Sequence, residues 1–366
     1  MKKHFIFALL PLLLVAFAGE EIQAQDGAHN DAAASYSCPM HEDVTASEPG
    51  SCSVCGMALI AGTERTRVGI LVFDDMQILD FAGPYDVFAT NSYEFEVFTV
   101  SERSGPVKAT NNLTVNPSFT FDTCPTIDVL VIPGGNVRGP LQSTKTIDWI
   151  RETADDADHV LSVCTGAFLI AKAGLLEGQT ATTYHTAIDQ LRQRYPNTKV
   201  VNDQRYVDNG KVVVSAGISS GIDASLYLVG KLTGMGEAQG VALSLEYDWD
   251  PKSTYVRAQL ADQILPAFHP SDDIEMRLLR SEGDRDSWEI ESRITTKLPI
   301  VELVSNIHGD LSKDKNWIFD KPVVGTETTV IGHRSDANGK QWRATILLKS
   351  AADTNTYRMQ VSLARG

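Results

Sequence analysis

Beyond residue 65 the apolar positions gather into continuous runs of strand length: Val68–Phe73, Phe95–Val100, Asp128–Ile132, His159–Val163 and Lys211–Ala216. Stretches with helical spacing lie between and after them, over Pro84–Ala89, Lys145–Asp155, Gly166–Leu176, Thr186–Tyr195 and Gly221–Thr233. Strands that are apolar throughout and alternate with helices predict a parallel sheet covered on both faces. This block runs to about Tyr247. After breaks rich in proline and acid at 248–251 and 269–273, with helical texture over Val256–Leu265 between them, the pattern changes. Glu289–Ile294, Thr328–Ile331, Trp342–Leu347 and Tyr357–Val361 alternate with turn signals such as Ala337-Asn338-Gly339, which predicts a small all-β domain over 274–366.

The first residues read as an export signal. Lys2-Lys3 precede an almost wholly apolar Phe5–Ala18, short for a bilayer span, and small residues offer cleavage after Ala18 or Ala24; an uncleaved membrane anchor is the alternative. With residues 1–24 removed, the protein is expected to be exported, periplasmic or extracellular, and free of the membrane. Residues 25–35 form a small polar linker. The formal net charge is −15, from 47 acidic and 32 basic residues, which argues against nucleic acid as a partner. Asn112-Leu113-Thr114 fits a glycosylation sequon, a weak signal by itself.

Three of the five cysteines fall in a segment, 36–61, that is too short to hold a core of its own. The C-x-x-C pair Cys52 and Cys55 lets two thiolates face one ion across a tight turn, and Cys38 and His41 can complete four ligands. Met40 and Met57 add thioethers that suit Cu(I). The words YSCPMH and PGSCSVCGMAL resemble the short heavy-metal-binding domain at the termini of copper-transporting ATPases and efflux adaptors. That resemblance implies copper, zinc or a similar soft ion. A Cys52–Cys55 disulfide is the alternative, and the choice among Met40, His41 and Met57 stays open.

A single cysteine, Cys164, follows the strand His159–Val163, and a helical pattern begins at Gly166. A strand that turns sharply into a helix at a nucleophile lifts that side chain above the sheet edge. The helix terminus there would favour a thiolate over a thiol. A buried core cysteine is the plainer reading of such a residue. Asp80, the pair Gly134-Gly135 and Cys164 each follow a strand, at the edge where open parallel sheets bind ligands. Cys124, before a strand, reads as structural.

The words GILVFDDMQILDFAGPYDVF, VLVIPGG, SVCTGAFLIAKAGLLEGQTATT and VVVSAGISSGIDASLYLV resemble the isonitrile hydratase-like branch of the PfpI superfamily over roughly 66–248. The resemblance implies a flavodoxin-like three-layer α/β sandwich with a parallel sheet. It implies a nucleophile at Cys164, an acidic partner at Asp80, and backbone donors near Gly135 and Thr165. No cofactor is implied for this domain, and a homodimer is. A nucleophilic sulfur there could add to an electrophilic carbon such as an isonitrile, with Asp80 holding or delivering a proton and water releasing an N-substituted formamide. Asp80 could instead cap the helix beginning at Phe81. Two departures from the superfamily matter: Thr165 stands where peptidase members carry His, and His185 is displaced by one position from a T-T-H-W word, which leaves a surface or capping role for it at least as plausible as catalysis.

Three functions therefore compete. The first is an exported cysteine-dependent enzyme of the isonitrile hydratase type acting on a small molecule. The second is a metal-handling or ligand-sensing protein without chemistry. The third is a stress-protective protein of deglycase or chaperone type with an oxidisable Cys164.

Overall fold

A computed structural model describes residues 36–366 apart from 39, 62–64, 254, 267, 326, 337 and 338. The expected signal segment and the linker at 25–35 lie outside the described residues. The chain divides into two compact units, up to Glu64 and from Arg65 onward.

In the first unit, β1 (Tyr36–Cys38), β2 (His41–Ala46) and β3 (Ile60–Ala61) form a three-stranded antiparallel sheet in the order β2-β1-β3. Its apolar centre is small: Cys38, Cys52 and Leu59, flanked by Tyr36, Val44 and Ala46. A core of that size cannot hold a fold by burial alone, so a metal or another cross-link is the expected staple.

The second unit opens with β4 (Thr66–Leu71), α1 (Ile78–Thr90), β5 (Phe95–Ser101), β6 (Phe119–Thr120) and β7 (Val129–Ile132). It continues with α2 (Thr144–Asp156), β8 (His159–Val163), α3 (Gly166–Lys172), β9 (Tyr206–Asp208), β10 (Val212–Ser215), α4 (Ser219–Thr233) and α5 (Met235–Ser244). The sheet has seven strands in the order β9-β10-β8-β7-β4-β5-β6, parallel except for the antiparallel β9–β10 edge. Its central strands are buried along their length, which is why they read as unbroken apolar runs: Ile70, Leu130, Ile132, Leu161 and Val213 have no appreciable exposure. This is the expected flavodoxin-like sandwich. Helix α1 begins at Ile78, well before the expected Pro84, and carries that proline inside it. Asp80 is therefore not a cap. The cap position is Gln77, and Asp80 lies in the first turn with its side chain fully buried.

The C-terminal part is an antiparallel six-stranded sheet, as expected. Its strands β11 (Glu275–Gly283), β12 (Ser287–Thr295), β13 (Ile318–Phe319), β14 (Thr328–Ser335), β15 (Gln341–Ser350) and β16 (Thr356–Arg365) run in the order β11-β12-β16-β15-β14-β13. Two features were not legible in the sequence. Strand β11 is exposed throughout, so no burial imposes alternation on it. Helix α6 (Ile300–Leu311) packs Leu303, Val304, Ile307 and Leu311 against one face of the sheet. The helical texture expected over 256–265 is two short 3₁₀ turns, Arg257–Gln259 and Ala261–Ile264. Among the described residues no helix is long and apolar enough to cross a membrane.

Candidate active site and metal centre

Four strand ends meet at the carboxyl edge of the sheet. The chain leaving β4 delivers Asp80, β7 delivers Gly134-Gly135, β8 delivers Cys164, and β10 delivers Gly217-Ile218. Register holds them level, with Ser162 opposite Ile132 and Val163 opposite Ser215.

Cys164 has φ +58°, in the left-handed region that a non-glycine residue occupies only under constraint. The strained turn is the expected elbow. Gly166 follows it and lets α3 start against β7, where an added Cβ would lie 2.3 Å from the Ile132 carbonyl oxygen.

The Cys164 thiol and the Asp80 carboxylate are close enough for each to shift the other's acidity. That carboxylate accepts the backbone N–H of Gly134 at Oδ2 and of Ile218 at Oδ1, each at 3.2 Å. Burial pushes the Asp80 carboxyl up to about 6, against the downward pull of the Cys164 thiol and the two backbone donors. The Cys164 thiol is pushed up as well, first by burial and then by the Asp80 charge, while Thr165 opposes the shift through its backbone N–H and hydroxyl. Cys164 is 5 % exposed. The expectation of a resident thiolate therefore fails. The short α3 does not outweigh burial and an adjacent carboxylate, and at neutral pH the shared proton rests on sulfur.

The expected donors near Gly135 and Thr165 are partly committed to each other. The Gly135 N–H donates to Thr165 Oγ1 at 2.8 Å, and that hydroxyl lies 2.9 Å from the Gly135 carbonyl. Gly134 has no room for a side chain: a Cβ would meet Thr165 N at 2.5 Å and Asp80 Oδ2 at 2.9 Å. His185 is turned to another partner, its Nδ1 lying 2.9 Å from the Gln263 amide. Cys124 donates to the Pro125 carbonyl at 3.2 Å, and burial raises its thiol.

Sequence reasoning missed Ile218, the second backbone donor to Asp80. It has φ +51°, an outlier for a β-branched side chain. Its signal was a single apolar residue placed between Gly217 and Ser219-Ser220, at a strand-to-helix turn.

In the first unit the structure brings the predicted ligands together. The Sγ atoms of Cys38, Cys52 and Cys55 and one His41 ring nitrogen all lie within 4.8 Å of one another. Cys38 Sγ is 3.6 Å from Cys55 Sγ, and His41 Nδ1 is 3.7 Å from both Cys38 Sγ and Cys52 Sγ. Four ligands about 2.3 Å from a central ion span tetrahedral edges of about 3.7 Å, so this set fits a soft tetrahedral ion. Gly56, at φ +74°, closes the turn after Cys55. Burial works against ionisation at Cys52, but the backbone N–H groups of Cys55 and Val54 and the neighbouring thiols bring it down to about 6. Met40 and Met57 are 70 % and 40 % exposed, outside this cluster. All five cysteines carry free thiols.

Comparison with known proteins finds a family for each unit. The DJ-1/PfpI family model matches residues 66–231, and the heavy metal binding domain model matches residues 35–61. An isonitrile hydratase from Pseudomonas putida is 40% identical over 185 residues, covering 50% of this chain and 78% of that protein. A deglycase from Thermococcus kodakarensis is 24% identical over 143 residues, 37% of this chain and 83% of its own. Among solved structures, a ThiJ/PfpI family protein from Pseudomonas syringae matches with a TM-score of 0.48 and 27% identity, over 52% of this chain and 79% of that one.

Proposed function

Because the chain belongs to the DJ-1/PfpI family, we propose that its α/β domain is a cysteine-dependent hydratase acting on a small isonitrile. The arrangement that carries this reading is a thiol on a strained turn, beside a carboxylate whose two oxygens are each held by a backbone N–H. The thiol is the resting form. As sulfur bonds to the terminal isonitrile carbon, its proton passes to Asp80 and from there to that carbon, giving a thioimidate. Water adds to the thioimidate carbon. The C–S bond then breaks, an N-substituted formamide leaves, and the proton returns to sulfur. Asp80 is suited to both transfers because its raised value sits near the working pH, where a group gives and takes protons with similar ease.

A panel of isonitriles tests this with wild type, Cys164→Ala and Asp80→Asn, reading formamide by mass spectrometry. Turnover confined to proteins that retain Cys164 supports the reading, and equal turnover by Cys164→Ala ends it. One observation favours a second reading, ligand binding without chemistry: the sulfur is nearly closed off and its thiol is held in the neutral form. Under that reading Cys164→Ala would bind isonitriles as wild type does, and neither protein would turn them over.

For the first unit we propose a resident zinc or copper ion held by Cys38, His41, Cys52 and Cys55. We further propose that the protein is exported after loss of residues 1–24, and that it works as a homodimer. The mass of the mature protein from the periplasm and its sedimentation behaviour test these two points.

A further inference from the structure

The segment 255–266 lies beyond the matched family region and runs between the α/β domain and the C-terminal sheet. It is fastened at both ends. On the α/β side, Arg205 donates to the Tyr255 carbonyl at 3.0 Å and Gln259 donates to the Asn202 carbonyl at 3.2 Å. Arg205 is itself locked by a buried ion pair with Asp223, through Nε at 2.6 Å. The Gln263 amide nitrogen, turned toward His185 Nδ1, leaves its oxygen 2.6 and 3.0 Å from the two terminal nitrogens of Arg257. On the C-terminal side the Ala261 N–H donates to the Asp284 carbonyl at 2.9 Å, and Trp317 Nε1 donates to the Ile264 carbonyl at 3.1 Å. Ala261 is fully buried in a cluster with Trp317 and Trp342.

Between this strap and the α/β domain lies a cavity of about 290 Å³, at the small end of the range for ligand pockets. Tyr255, Val256 and Arg257 form one wall, and Tyr184, Gly217 and Ile218 form another. The second wall belongs to the Cys164 site. A Cβ on Gly217 would lie 3.5 Å from Cys164 Sγ and 3.0 Å from Tyr184 Cδ2, and Ile218 holds Asp80. Val256 is 3 % exposed, so its side chain is packed inward rather than into solvent.

We propose that the strap is the specificity wall of the Cys164 site: the cavity takes a compact, largely apolar substituent of the substrate, and the C-terminal domain serves to clamp the strap that closes it. The substrate class, an isonitrile with such an N-substituent, rests on the hydratase reading. The wall itself does not.

The test is therefore made on the sulfur. Full-length wild type, Val256→Trp and Val256→Ala are alkylated with iodoacetamide and with a bulky N-cyclohexyl maleimide, and modification of the Cys164 peptide is followed by mass spectrometry. The ratio of small-probe to bulky-probe rate should rise about tenfold in Val256→Trp and fall in Val256→Ala. A ratio equal to wild type in both variants overturns the proposal. The alanine variant carries the test if the tryptophan variant does not fold. The readout needs no hydratase activity, so failure of the isonitrile panel and failure of the wall are separate results.

Discussion

Asp80 Oδ1 accepts the backbone N–H of Ile218 at 3.2 Å, and Ile218 makes that bond from a backbone conformation, φ +51°, that a β-branched residue ordinarily avoids. Such a conformation costs about 1–3 kcal/mol and persists only where neighbours hold it. Here α4 begins at the next residue, and Arg205 bonds Ser219 Oγ at 3.3 Å. The strain fixes a donor on a carboxylate that burial would otherwise neutralise. Ile218→Gly removes the strain and frees the turn, so stability should change by no more than about 1 kcal/mol, relief offsetting lost contacts. Turnover should fall about ten- to hundredfold as Asp80 loses its fixed donor. Chemical denaturation and steady-state kinetics check both; unchanged turnover would show that the strain has no role in the reaction.

The acidity of Asp80 gives a pH signature. Its ordinary value is 3.8 and in the fold it is about 6, so ionisation opposes folding. The stability this carboxyl contributes is complete below about pH 3.8 and is lost as pH rises to about 6, on the order of 3 kcal/mol. Activity runs the other way, because only the carboxylate can take the thiol proton. The rate should fall tenfold per unit below about pH 6. In Asp80→Asn that limb should vanish and the rate drop about 10²- to 10⁴-fold. A wild-type profile flat from pH 5 to 8 would remove Asp80 as the base.

Gly134 is where the two halves of the site touch. Any Cβ there would lie inside contact distance of Thr165 N and Asp80 Oδ2, and the neighbours are backbone and a doubly held carboxylate, so neither yields cheaply. Gly134→Ala should cost about 1–3 kcal/mol and at least a hundredfold in turnover. Gly139→Ala is the control, since an added Cβ meets nothing within 4 Å there. Thermal melts and kinetics on both variants settle the matter, and equal behaviour would refute the packing argument.

What the sequence revealed and what it hid follow from burial. Strands β4, β7, β8 and β10 declared themselves because a sheet covered on both faces must be apolar at every position. Cys164 declared itself by falling between such a strand and a helical pattern. Ile218 stayed hidden because its contribution is a backbone N–H, which any residue but proline carries. The ionisation of Cys164 was misjudged because the helix terminus is a local feature of sequence, whereas the opposing burial and Asp80 charge arise from elements distant along the chain. Strand β11 was missed because nothing buries it.

The ligand set of the first unit separates two readings that the sequence left open. Either methionines or a histidine could complete the three cysteines. The geometry sets His41 Nδ1 3.7 Å from the Cys38 and Cys52 sulfurs, a tetrahedral edge distance, and leaves Met40 and Met57 exposed and outside the cluster. His41→Ala, Cys52→Ser and Cys55→Ser should each weaken Zn(II) or Cu(I) binding about a hundredfold or more, whereas Met40→Ala and Met57→Ala should leave it within about threefold. Because the thiols must shed protons to bind and Cys55 is held above its ordinary value of 9.0, affinity should already fall as pH drops through neutrality, and more steeply below about 6, where Cys52 is protonated too. Competition titration with a chromogenic chelator measures all of this. If the methionine variants lose Cu(I) while His41→Ala retains it, the thioethers are the ligands and the metal draws the loop into a different arrangement.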